Sequence, residues 1–229
     1  MAKLKRKSVD MARRLPYRDI LPRILIVTEG EKSEPSYLHA LRHAWRVSNV
    51  KLEIVSSSKG PNPHNVLESA IRIFENGDSS RNWERKSFDE IYLVFDNDRR
   101  DSEVEAVQKV AASTLLKNSR KERVPLHPIV SNPSFELWLL LHFQCQIHMC
   151  TQRELETKLK THLVALCKDY SRSFRKLDPQ TDVAIANAGV LRKNGSAIGA
   201  EYCFTAMDDL VRRLREFSVE QLGADRTAH

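Results

Sequence analysis

With 229 residues, 41% of them hydrophobic and few Gly or Pro, the chain can bury one large core, or a core and a small appended subdomain, which excludes an unfolded chain. No apolar run approaches the roughly 20 residues that cross a bilayer, and the basic N-terminus is not followed by an apolar signal core, so a cytoplasmic protein without a membrane span is expected. The net charge is +7, but eight basic residues against Asp10 and Asp19 crowd the first 23 positions, leaving about one positive charge for everything beyond.

Residues 1–20 read as a basic flexible arm, able to add phosphate contacts to a nucleic acid or merely to keep the chain in solution. RILIVT, residues 23–28, reads as a buried strand, and Glu34 to Val47 as a helix with Tyr37, Leu38, Leu41 and Trp45 near one face. VKLEIVS, residues 50–56, is a second strand. After the loop SSSKGPNP, a helix from Pro63 to Glu75 sets Val66, Leu67, Ala70, Ile71 and Phe74 at i, i+3, i+4 spacing behind a proline in its first turn. Gly77 to Lys86 form a polar loop, IYLVFDNDRR (91–100) supplies the third strand, and Glu103 to Leu116 the third helix. A fourth strand, Pro125 to Val130, carries two prolines without amide protons and so belongs at a sheet edge or is irregular. After Ser131 the pattern is helical to the end, broken only around Pro179 and Gly195, with a last helix from Phe204 to Leu222.

Strands alternating with helices require crossovers, so the fold expected is α/β: a mostly parallel sheet with helices on both faces over residues 21–150, followed by a helical C-terminal part, 151–229, packed on it. Cys145, Cys150, Cys167 and Cys203 contain no CxxC pair and fall in helical-looking stretches, which suits reduced, partly buried thiols.

Ligands of an open parallel sheet bind beyond the carboxyl ends of its strands, and the charged motifs lie there. The first strand empties into EGEKSEP, with Glu29, Glu31 and Glu34, and the third into DNDRR, with Asp96 and Asp98. Like charges this close repel unless a cation lies between them, and hard oxygen donors suit Mg²⁺ or Mn²⁺. Such an ion could orient a phosphodiester, activate water and neutralise the leaving oxygen. A P-loop is disfavoured because no GxxxxGKS or GxxxxGKT appears, and an EF-hand starting at Asp96 fails at Arg100 and Asp101. Phosphotransfer through an aspartyl nucleophile leaves the Glu29 motif unused, and the reading of these acids as loop caps and surface charges stands beside both.

In SNPSFELWLLLHF, residues 131–143, Asn132 can cap a helix with Pro133 at its first position, and the apolar residues that follow cover nearly every face, so the helix should be buried. Glu136 is then anomalous: either it pairs with an arginine or it reaches the metal rim. His142, Cys145, His148 and Cys150 fit no standard zinc spacing and read as ordinary helix-end residues. A phosphate chain over an acidic metal site needs cations, and Lys32, Arg99 and Arg100 sit inside the motifs, with Lys176, near Arg172, Arg175 and Tyr170, and Arg192 and Lys193 downstream. For the downstream residues a solvated helix face is the plainer alternative.

The pattern of an apolar strand ending in Glu-Gly and a later one ending in Asp-x-Asp is similar to the Toprim domain of topoisomerases, primases and OLD-type nucleases. More narrowly, TEGEKSEPSYL, VFDND and SNPSFELWLLLHF, in this order, resemble the RloB-like family, encoded near restriction-modification loci and linked with AbiL-type abortive infection; the likeness spans roughly residues 20–215. The resemblance implies a Mg²⁺- or Mn²⁺-dependent nuclease of phage defence acting on DNA or RNA. It makes Glu29 a general acid/base or metal ligand and Asp96 and Asp98 metal ligands, and it sets Glu34 near a further acid of OLD-type enzymes at a spacing one residue longer. The alternative is a non-catalytic defence subunit that keeps the Toprim shape and binds nucleic acid or a partner defence protein.

Overall fold

A computed structural model of the protein describes residues 21–47, 50–98, 100–146, 148–163, 173–198 and 202–218. The basic arm, Arg99, the stretch around Tyr170 and the end of the expected last helix lie outside them. The strands expected from the apolar runs form: β1 (Arg23–Thr28), β2 (Lys51–Ser56) and β3 (Glu90–Asp96), with α1 (Ser33–Ala44) and α2 (Pro63–Asn76) between them. α2 begins where its sequence requires, since Asn62 accepts the His64 N–H at 2.8 Å and Pro63 fills the first turn.

α3 (Asp101–Ser113) follows β3 and ends three residues before the expected limit, because Leu116 turns into a hairpin of β4 (Leu116–Lys117) and β5 (Arg123–Val124) that its sequence did not announce. β6 (Leu126–Asn132) then pairs with β3 from Leu126 to Ser131. Of the two prolines, Pro125 falls just before the strand, and Pro128 lies as expected where, among the described residues, β6 has no strand on the side away from β3, its pairing there being confined to Ser131 and Asn132.

The C-terminal half contains α4 (Glu136–Leu141), α5 (Gln152–His162), α6 (Phe174–Leu177), α7 (Thr181–Ile198), β7 (Phe204–Thr205) and α8 (Met207–Arg215). Three expectations are corrected here. Asn132 does not cap a helix: it closes β6 and its amide donates to the Tyr202 carbonyl at 2.9 Å, so the helix starts four residues later and is short. α7 runs through Gly195 without the expected loop. Phe204 and Thr205 form an antiparallel edge strand on β6, which delays the last helix to Met207. Cys145, Cys150 and Cys203 are free thiols as expected, though none of the three lies in a helix.

The sheet order is β2-β1-β3-β6-β7, with every pairing parallel except the last. Side chains alternate across it: Ile24 and Ile26 of β1 join a core with α1, α4 and the C-terminal helices, whereas Leu25 and Val27 join a second core under α2 and α3. The α/β architecture with both faces covered is therefore as the sequence indicated, and the C-terminal helices complete one of its two cores. Ion pairs fasten them: Arg213 of α8 reaches Glu90 at the start of β3, and Arg192 of α7 pairs with Asp208 and Asp209 of α8. Among the described residues no helix is long and apolar enough to cross a membrane.

α4 sits in the centre of the first core, every residue of it buried. Leu140→Ala should therefore cost about 2–5 kcal/mol in urea unfolding through lost burial and a cavity. Leu115→Ala, at a side chain 72% exposed, should stay within about 0.5 kcal/mol of the parent.

Candidate functional site

At the carboxyl end of the sheet, β1 and β3 run side by side to their last residues. The Glu29 N–H continues the ladder by donating to the Val94 carbonyl at 2.8 Å. One rung further on, the acceptor is a side chain: the Asp96 N–H donates to Glu29 Oε2 at 2.9 Å. Glu29 is thus locked across the gap between two strand ends, 8% exposed, and it fixes the position of Asp96.

Gly30 leaves room for the Glu34 carboxylate. A Cβ there would lie 2.2 Å from a carboxylate oxygen of Glu34, itself only 5% exposed and with little room to retreat. Glu34 opens the first turn of α1 and accepts backbone N–H bonds from Gly30 and from its own residue. Those bonds do not offset burial: desolvation above all, then the charges of Glu136 and Glu29, push its pKa up to about 7. Asp96 is raised well above the ordinary aspartate range by enclosure of its carboxyl and by Glu34, Glu136 and Glu29, against one hydrogen bond from the Phe135 backbone.

Glu136, at the start of α4 and 6% exposed, forms no ion pair with an arginine among the described residues; its Oε2 accepts the Ser134 hydroxyl at 2.7 Å. It lines the cleft at the strand ends. Asp98 is exposed, its N–H on the Pro133 carbonyl at 3.1 Å and its φ at +36°, a region L-residues seldom adopt but Asp tolerates. A cleft of about 470 Å³ is lined by Glu29, Glu34, Asp96, Asp98, Glu136 and Arg100 together.

Arg100 is therefore inside the acidic cleft, with Nη2 on Glu29 Oε1 at 2.7 Å. Lys32 lines the adjoining cavity, beside Glu31, and both are exposed. Arg99 lies outside the described residues. The other basic candidates are not brought to the cleft lining: Lys176 is on α6, whose Phe174 packs on Tyr37, Arg192 is paired with α8, and Lys193 is exposed on α7. Asp101 starts α3 and accepts the Asn97 amide at 2.6 Å.

Five carboxylates at one rim form an all-oxygen donor set whose excess negative charge a hard divalent ion would offset. Among the described residues, no three His, Cys, Asp or Glu side chains are already arranged to hold one ion. Both oxygens of Glu29 are engaged, one by Arg100 and one by the Asp96 backbone. The donor types and their burial fit the ion, and the side-chain arrangement requires Glu29 to change partner.

A family model described as RloB-like protein matches residues 24–214. The chain belongs to the RloB-like family. Membership associates it with restriction-modification and defence, and the matched span takes in β1 through α8, with the whole acidic cleft. No curated protein and no solved structure matches the chain.

The sequence pointed to Glu29, Asp96 and Asp98 by strand-end position and to Glu136 by its misfit in an apolar helix. The ion pair of Arg100 with Glu29 was not legible, because the partners are 71 positions apart.

In the folded protein Glu34 keeps its proton up to about pH 7, whereas unfolded it loses it near 4.5. Its contribution is thus intact below pH 4.5 and lost as pH rises to 7. In chelator-treated buffer, Glu34→Gln should gain on the parent by about 2–3 kcal/mol of unfolding free energy between pH 5 and pH 8. Parallel stability profiles across that range would show that Glu34 is not held protonated.

Proposed function

We propose that this RloB-like protein is a Mg²⁺- or Mn²⁺-dependent phosphodiester hydrolase of antiviral defence, acting on DNA or RNA from a Toprim-like sheet. The observation that carries the reading is the Glu29–Asp96 junction: a carboxylate from the end of β1 seated on the backbone at the end of β3, at the mouth of a cleft holding three further acids. A loop-cap role accounts for Glu29 alone. It does not account for the buried Glu34 and Glu136 and the half-buried Asp96 set within each other's field, an arrangement that costs stability unless a cation relieves it.

Glu29, Asp96 and Asp98 would hold the ion, with Glu34 and Glu136 behind them as additional donors. When bound, the ion supplies Lewis acidity to the phosphodiester and lowers the pKa of water. The chain's own part is positional. β1 and β3 fix Glu29 and Asp96 rigidly, and the exposed Asp98 faces the solvent side from which a nucleic acid would approach. Lys32 and Arg99 are placed by sequence beside the motifs and would meet the phosphates.

Plasmid DNA, single-stranded DNA and tRNA incubated with purified protein and Mn²⁺ or Mg²⁺ should reveal at least one cleaved substrate, with cleavage stopped by chelator. Glu29→Ala and Asp96→Ala should each lower the rate by about 100-fold or more, some 3 kcal/mol of barrier. Unchanged cleavage in both variants would reject the site. Absence of cleavage, with salt-sensitive nucleic-acid binding that survives both substitutions, would favour the non-catalytic binding subunit.

A further inference from the structure

The acidic cleft carries its own cation. Arg100 leaves the end of β3 and turns back, so that Nη2 donates to Glu29 Oε1 at 2.7 Å and to the Asp96 carbonyl oxygen at 3.2 Å. Both bonds come from one nitrogen. Nε is buried without a partner, so the two-pronged grip by which arginine binds a carboxylate or a phosphate is not in use. The guanidinium also remains 24% exposed, facing the cleft that Glu34, Asp96, Asp98 and Glu136 line. Arg100 caps α3 through its carbonyl, which accepts from Glu103 at 3.0 Å and Val104 at 2.9 Å, so its side chain can turn without the helix moving.

Glu29 Oε1 cannot serve a dication and a guanidinium at close range together, since the two cations repel. Resting on the metal-dependent reading above, we propose that Arg100 is an exchangeable counter-ion. In the cation-free protein it neutralises Glu29. A divalent cation displaces it, and the released guanidinium takes a phosphate oxygen of the nucleic acid with the two-pronged grip it lacks at Glu29. Arg100 thereby couples the two ligands: it is unavailable to phosphate until the cation is bound, so cation and nucleic acid strengthen each other's binding. Arg100 acts here as a positioning residue, and its substitution moves binding before any chemistry.

The test is titration of Mn²⁺ into the full-length protein without nucleic acid, by calorimetry or by loss of the free-ion paramagnetic signal. Arg100→Gln should bind Mn²⁺ about tenfold more tightly than the parent, because no internal cation competes. With a phosphorothioate oligonucleotide, adding Mn²⁺ should tighten binding to the parent at least about fivefold and to Arg100→Gln by less. Should the variant not fold, the side-chain ¹⁵N resonances of Arg100 in the parent protein provide the readout: saturating Mg²⁺ should move them away from their carboxylate-paired positions. Equal or weaker Mn²⁺ binding by folded Arg100→Gln, or Arg100 resonances unmoved by Mg²⁺, overturns the counter-ion role alone. Absence of Mn²⁺ binding in both proteins overturns the metal reading and this inference with it.

Discussion

Repulsion among carboxylates at the open end of the sheet is the constraint around which the rest of the molecule is organised. Glu29 from the loop after β1, Glu34 from α1, Asp96 from the end of β3 and Glu136 from α4 meet in one partly enclosed cleft. Burial holds the carboxyls of Glu34 and Asp96 above their ordinary range, and the charges of Glu136 and Glu29 push both further up, with Glu34 adding to the shift of Asp96. Among the described residues of the cleft lining the compensation is the guanidinium of Arg100, together with backbone and hydroxyl donors. A fold chosen for stability alone would replace such a cluster with apolar side chains. Such a cluster in a well-packed α/β scaffold is what supports the proposed site.

The scaffold makes the cluster possible by sharing the burden between its two cores. β1 and β3 are central strands, apolar on both faces, and their backbones hold the rim in register whatever its charges do. The helices supply the remaining acids from fixed positions: α1 carries Glu34 in its first turn and α4 carries Glu136 at its start. β7 pairs with the end of β6, and α8 ties back through Arg213 to Glu90 at the start of β3, so the C-terminal part braces the sheet at both ends of its strands.

How much of this could be read in advance follows from how local each feature is. The runs RILIVT and IYLVFD announce their strands because burial on both faces leaves no alternation, and α2 was legible down to the proline of its first turn. What failed to show depends on remote partners. Phe204 and Thr205 are a strand only because Ser131 and Asn132 lie beside them, and Asn132, a good cap by type, is taken instead by the Tyr202 carbonyl. Of the five acids of the cleft, Glu29, Glu34, Asp96 and Asp98 were visible as charges in the motifs at two strand ends and Glu136 as a misfit in an apolar helix. Arg100 was legible as a cation inside an acidic motif; that it is the partner of Glu29 is a tertiary fact.

The most direct measurement of the central claim is a crystal structure of the protein soaked in Mn²⁺, read by anomalous scattering. The account predicts a peak within about 2.2 Å of carboxylate oxygens from Glu29 and Asp96, a distance typical of oxygen donors on such an ion, with Arg100 moved off Glu29. Ordered carboxylates with Glu29 still paired to Arg100 and no peak in the cleft would contradict it.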